Sequence, residues 1–177
     1  MTESVRLIPM LCTQCQTAIP AQPDEVAWVC PQCGQGLLFS ETGLKLTAIQ
    51  YFNPIPPGSK GRPFWVASGQ VVINSRSAYS GRENESLAFW KMPRPFYIPA
   101  YNLPLEQLLA EGTRLVNAPF TLQAGPAVPF LPITLARQDA VTFAEFIVLS
   151  IEANRSDKLR NIKFDLKLSN LQLWILP

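Results

Sequence analysis

Four cysteines carry the most specific chemistry in this sequence. They form two pairs, Cys12-Thr-Gln-Cys15 and Cys30-Pro-Gln-Cys33, the second followed by Gly34. The chain holds no other cysteine and no histidine, so these thiols are its whole supply of soft metal ligands. Two thiolates three positions apart on a tight turn present both sulfurs to one ion from one side. A second such turn closes the tetrahedron from the other side. Pro31 pre-sets the bend of the second turn, and Gly34 suits the left-handed backbone that finishes it. The competing chemistry is a pair of disulfides. C-x-x-C pairs make strained bridges, and no signal-peptide pattern opens the sequence, so a metal in a reducing, cytoplasmic setting is the expectation.

The elements that must position these ligands are short. Residues 19–24 read as a turn, and 25–29 as a strand running into Cys30. Residues 5–10 and 36–40 are the natural outer strands. A module this small buries too little apolar surface to fold unaided, so metal binding would supply much of its folding energy. The expected organisation is a metal-bound ribbon over residues 1–42 and a compact domain over 43–177.

These knuckles resemble those of zinc ribbons. They are also similar to rubredoxin, where C-x-x-C and C-P-x-C-G hold iron; that resemblance covers residues 12–34. The first knuckle here continues into Gln16 rather than glycine, and the interval between knuckles is shorter than rubredoxin's. Structural Zn2+ is therefore favoured over Fe, and with four protein ligands no coordination position is left for catalysis. The rest of the chain is similar in layout to β-rich domains of bacterial zinc-ribbon proteins, a likeness that carries no function across.

Beyond the ribbon the expected class is α+β, mostly β: an antiparallel β-rich domain with one or two helices. Residues 43–53 and 63–76 read as strands, and 87–91 and 96–101 as short aromatic strands interrupted by prolines. Residues 80–86 form a polar excursion expected to be exposed. Pro104 starts a short helix over 104–111, with Gly112 a natural stop. Apolar residues at helical spacing (Ala140, Phe143, Ala144, Ile147, Ile151) predict a second helix over 137–155. Residues 162–168 alternate like a strand with one wet face, and Ser169-Asn170 would turn it into 171–176. Seventeen prolines spread along the chain fit short strands joined by stiff turns.

Charge separates the regions. Residues 1–44 carry Arg6 against Glu3, Asp24, Glu25 and Glu41, a net −3, and four thiolates on a divalent ion would add −2. Residues 45–95 are +5 and the remainder is neutral. An acidic ribbon is a poor partner for phosphate backbones, where cations supply most of the affinity. In the middle segment Lys60, Arg62, Arg76, Arg82, Lys91 and Arg94 alternate with aromatics, and these six residues are the candidate anion-binding face. Aromatics interleaved with cations suit single-stranded nucleic acid or a membrane interface, yet strand propensity and core filling account for the same aromatics.

Catalysis finds little support. Histidine, the usual general base near neutral pH, is absent, and no phosphate-cradling glycine loop or nucleophile elbow occurs. The carboxylate pairs Glu106/Glu111 and Asp139/Glu145 read as solvated helix faces. The expectation is a non-enzymatic structural or adaptor protein, an accessory subunit whose partners are other proteins. A membrane complex would be reached through such a partner. Nucleic-acid binding through residues 60–94 and rubredoxin-like electron transfer are the alternatives.

Overall fold

A computed structural model describes residues 8–80 and 83–177, the side chain of Glu83 aside. Arg82 and residues 5–7 of the expected outer strand lie outside the described residues. The chain is mostly β, with two sheets and, among the described residues, three helices.

The first sheet holds the cysteines. Strands β1 (Ala27–Val29), β2 (Gly36–Ser40) and β3 (Gly43–Thr47) form an antiparallel meander. Residues 43–53, expected as one strand, are instead two. β3 pairs β2, and after Ala48 the strand β4 (Ile49–Tyr51) runs parallel to β8 (Gln172–Leu176) in the second sheet. Residues 8–10 form no strand; a single bridge joins Leu11 to Ala18.

The second sheet is organised by β5 (Arg62–Ala78), 17 residues long. Its first half lies between β6 (Arg94–Pro99) and β8 (Gln172–Leu176), and its second half pairs β7 (Leu159–Leu168). β7 and β8 were expected to turn back on each other at Ser169-Asn170. They instead follow one another along the same side of β5, antiparallel to it throughout. Across the break, the Ser169 N–H donates to the Ser68 carbonyl at 2.8 Å and the Ser68 N–H to Ser169 Oγ at 2.9 Å. The serine hydroxyl thus replaces a missing ladder acceptor, so the chain need not turn.

Both faces of β5 are covered near its start. Trp65, Ala67 and Val71 point to a core shared with Ala140, Ala144, Ile147 and Val148 of helix α3 (Arg137–Ala153). Phe64 and Val66 point the other way, toward Tyr97, Leu115 and Trp174, with Phe120 and Leu122 packed over them. The alternation follows from the two-residue period of a strand.

Two helix expectations change. Helix α2 (Leu105–Asn117) does not stop at Gly112. A Cβ there would sit 2.3 Å from Ile147 Cδ1 and 2.8 Å from Cγ1, so glycine permits close packing of α2 on α3 and is no terminator. Of residues 87–91, read as an aromatic strand, all but Lys91 belong to helix α1 (Glu83–Trp90). Ser86, expected exposed, is fully buried. Here tertiary contacts override strand propensity.

The ribbon is fixed to the second sheet's core. Val26 N–H donates to the Ile133 carbonyl at 2.8 Å, and Ala27 is bridged to Ile133. Ala27 enters the α3–β5 core, whereas the adjacent Trp28 turns into the ribbon with Ile19, Leu37 and Leu44. One short strand therefore serves both cores.

Candidate metal centre

The two cysteine turns are built alike. Cys12 N–H donates to the Thr17 carbonyl at 2.8 Å, and Cys30 N–H to the Gln35 carbonyl at 2.8 Å. The Gln16 N–H donates to the Cys12 carbonyl and the Gly34 N–H to the Cys30 carbonyl, both at 2.9 Å. Gln16 and Gly34 both have positive φ, 61° and 72°. Glycine takes that conformation freely; glutamine does so at a cost. The departure from glycine at position 16 therefore alters the residue and leaves the turn intact.

These turns converge on one point. Ligand atoms of Cys12, Cys15, Cys30 and Cys33 all lie within 4.8 Å of one another and could hold a metal ion. Sγ of Cys12 is 3.6 Å from that of Cys33, and Sγ of Cys15 is 3.5 Å from that of Cys30. Four sulfurs at metal–sulfur distances near 2.3 Å would stand about 3.8 Å apart at the corners of a tetrahedron, so the donor set fits such an ion with little movement. Cys12 and Cys30 are buried, Cys15 is half-buried and Cys33 exposed. The first ligand of each turn thus belongs to the core of this sheet, Cys15 packs against it, and Cys33 faces solvent.

The two outer thiols, Cys15 and Cys33, are shifted in opposite directions. The Thr17 hydroxyl and then its backbone N–H favour the Cys15 thiolate, whose pKa falls to about 6. At Cys33 the Gln35 N–H also favours the thiolate, but desolvation and the sulfurs of Cys30, Cys15 and Cys12 outweigh it and push the thiol up to about 12. A bound cation reverses that repulsion and releases the protons.

The described residues of the expected anion-binding face do not form one surface. Arg76 is buried, its Nε on Glu152 at 2.8 Å and its two terminal nitrogens on Asp157 at 2.5 and 2.9 Å. Arg62 donates to the Pro177 carbonyl and to Glu111, the latter at 3.3 Å. Arg94 donates to the Phe89 carbonyl at 2.9 Å and stacks on that ring. Lys60 and Lys91 are exposed, and Arg82 lies outside the described residues.

Arg76 belongs to a buried cluster that the sequence reading missed. Glu152 is fully buried and accepts four bonds, from Arg76 Nε and Ser86 Oγ on Oε2 and from Trp90 Nε1 and Arg155 Nε on Oε1, all at 2.7–2.8 Å. Burial would raise this carboxyl, but the bonds from Arg155, Trp90, Arg76 and Ser86 prevail and hold it below its usual range. The Arg76 hydrogen bond holds Asp157 down as well. A bulge makes the cluster: the β5–β7 register shifts between Ile73 and Ser75, which turns Arg76 onto the face that carries Val71 and Ile73. A period-two reading of β5 places Arg76 on the opposite face. Arg76 preceded by the polar pair Asn74-Ser75 was the available signal.

Comparison with protein-family models, with curated proteins and with solved structures yields no match.

Proposed function

We propose that the chain is a non-enzymatic zinc-ribbon adaptor, an accessory subunit of a larger protein assembly. The observation that supports this reading is the convergence of four cysteine sulfurs from two matched turns. An ion so enclosed has no open position for substrate and serves to hold backbone; closed four-thiolate sites of this kind suit Zn2+. What the ion holds is a rigid ribbon seated on a second core, and both present apolar surface. Phe39 of β2 and Val141 of α3 are 45% and 40% exposed and line one groove of about 870 Å3 between ribbon and helix. Phe146 and Leu149 continue exposed apolar surface along α3. No helix among the described residues is long and apolar enough to cross a membrane, so a membrane complex would be joined through a partner.

Two measurements test the reading. Metal analysis of the purified protein should give one zinc per chain in a colourless solution; a red protein containing iron would establish the electron-transfer alternative instead. Affinity isolation from the source cells should recover a defined protein partner that the double variant Phe39→Asp/Val141→Asp no longer retains. A monodisperse monomer that recovers no partner overturns the adaptor role.

A further inference from the structure

Helix α1, the strand β6 after it and the turn that follows α3 bring two guanidinium groups onto one phenyl ring. Arg94 Cζ lies 3.6 Å from the Phe89 centroid and Arg155 Cζ 5.0 Å from it. One cation on an aromatic face is ordinary packing; two on the same ring bring like charges together. Arg94 directs Nε to the Phe89 carbonyl, and its terminal nitrogens meet no acceptor among the described residues. Arg155 directs Nε to Glu152, whose two oxygens are already shared with Arg76, Ser86 and Trp90. Arg155 Nη2 is buried without an acceptor. Burial, and then the charge of Arg155, lower the pKa of Arg94. Exposed Lys91 lies three residues before Arg94 in the sequence, on the same α1–β6 connection.

Cationic groups are thus gathered where the nearby carboxylate Glu152 has no lone pair to spare. A planar guanidinium with both terminal nitrogens unpartnered offers a two-pronged edge that matches two oxygens of a phosphate. We propose that Arg94, backed by Arg155 and Lys91, forms a binding site for a phosphate group, either free or carried on a lipid headgroup. Arg94 supplies the bidentate contact; Arg155 and Lys91 supply field. The site is separate from the cysteine turns and independent of the adaptor reading.

The test uses the full chain loaded with its metal. Inorganic phosphate is titrated at constant ionic strength, with calorimetry and the side-chain N–H resonance of Arg94 as readouts. In a parallel arm, sedimentation is measured with phosphatidylcholine vesicles with and without phosphatidylglycerol. Saturable binding in the first arm identifies free phosphate, and binding only to the anionic vesicles identifies the headgroup. In either case Arg94→Gln should weaken binding about tenfold or more, the consequence of losing a charged hydrogen-bond pair. Arg94→Lys, which keeps charge and loses the fork, should fall between. Unchanged binding in Arg94→Gln, or no saturable binding in either arm, overturns the proposal.

Discussion

The ribbon and the buried cluster around Glu152 solve the same problem by different means. Each ties loops and short elements together with polar groups withdrawn from water. In the cysteine turns the donors are gathered without a built-in cation: Thr17 favours the Cys15 thiolate, while desolvation and the neighbouring sulfurs push the Cys33 thiol up. Around Glu152 the cations are built in: Arg76 bridges Glu152 to Asp157, and Arg155 closes the other side. The first region would need an added metal ion to hold its thiolates together. The second depends only on its own side chains, with α1 attached through Ser86 and Trp90. One chain therefore contains a clamp that would take its cation from outside and one whose cations are built in.

The sharpest way to break this contrast is to remove the metal site. Cys30→Ser deletes a buried ligand, and structural zinc contributes roughly 10–16 kcal/mol of apparent folding energy in small ribbons. The expected outcome is loss of ordered amide resonances for residues 12–47 while those of β5, β7 and β8 persist, because Trp65, Val71 and Leu173 have a core of their own. Chelation should give the same spectrum in the unaltered chain. Uniform unfolding of both regions would show that the ribbon's contacts through Ala27 and Ile133 couple the two cores more tightly than their separate clusters imply.

Breaking the other clamp should cost less, yet affect the second core. Glu152→Gln leaves Arg76 with Asp157 alone and deprives Arg155 of its anion, at about 3–5 kcal/mol for a disrupted buried pair. Denaturant unfolding checks the value. The pH response carries the same signature. Glu152 and Asp157 titrate below their unfolded values, near 4.3 and 3.9. Their stabilisation is complete above those unfolded values and is lost as pH falls through the lower folded ones. Glu152→Gln should flatten that acid limb. An unchanged limb would place the acid sensitivity elsewhere.

The difference between the regions also explains what was legible beforehand. The cysteine turns are local: ligand type, spacing and turn residues all lie within 22 consecutive positions, so the site was readable from Cys12 to Cys33. The Glu152 cluster joins residues 62 to 81 positions apart, and its geometry depends on one bulge that reverses the facing of Arg76. The only local hint in residues 63–76 is the polar pair Asn74-Ser75 before Arg76, which does not by itself specify a bulge. Helix α3 was legible because its apolar spacing is sustained over many turns. Helix α1 was not: its aromatic residues match strand propensity, and its docking partner Glu152 is distant in sequence. Gly112 misled for a related reason, since a glycine that permits close approach looks the same in sequence as one that ends a helix.

That glycine gives a smaller test within the second region. Gly112→Ala would improve helix propensity by about 1 kcal/mol, but its Cβ would press on the fully buried Ile147. Overpacking of this kind costs about 1–3 kcal/mol. A net destabilisation of roughly 1 kcal/mol in thermal or denaturant unfolding is expected, with the metal site unaffected. A more stable variant would mean that α2 and α3 yield to each other at this contact.

The smallest effect expected is also the most local. The two cysteine turns share their hydrogen bonds and their left-handed closing residue, but only one closes with glycine. Gln16 bears a Cβ in that conformation, which disfavours it by about 1–2 kcal/mol relative to the right-handed form. Glycine would remove this penalty while adding freedom to the unfolded chain worth roughly 0.4–1 kcal/mol. Gln16→Gly should therefore stabilise the metal-bound ribbon by about 0.5–1 kcal/mol, seen as a small rise in the chelator concentration needed to strip the ion. The matching Gly34→Gln change should do the reverse by a similar amount. Equal and opposite shifts would establish that the two turns are energetically equivalent frames for the ligands. If Gln16→Gly instead weakens metal retention, the glutamine side chain itself contributes to the first turn, and the likeness of the two turns ends at the backbone.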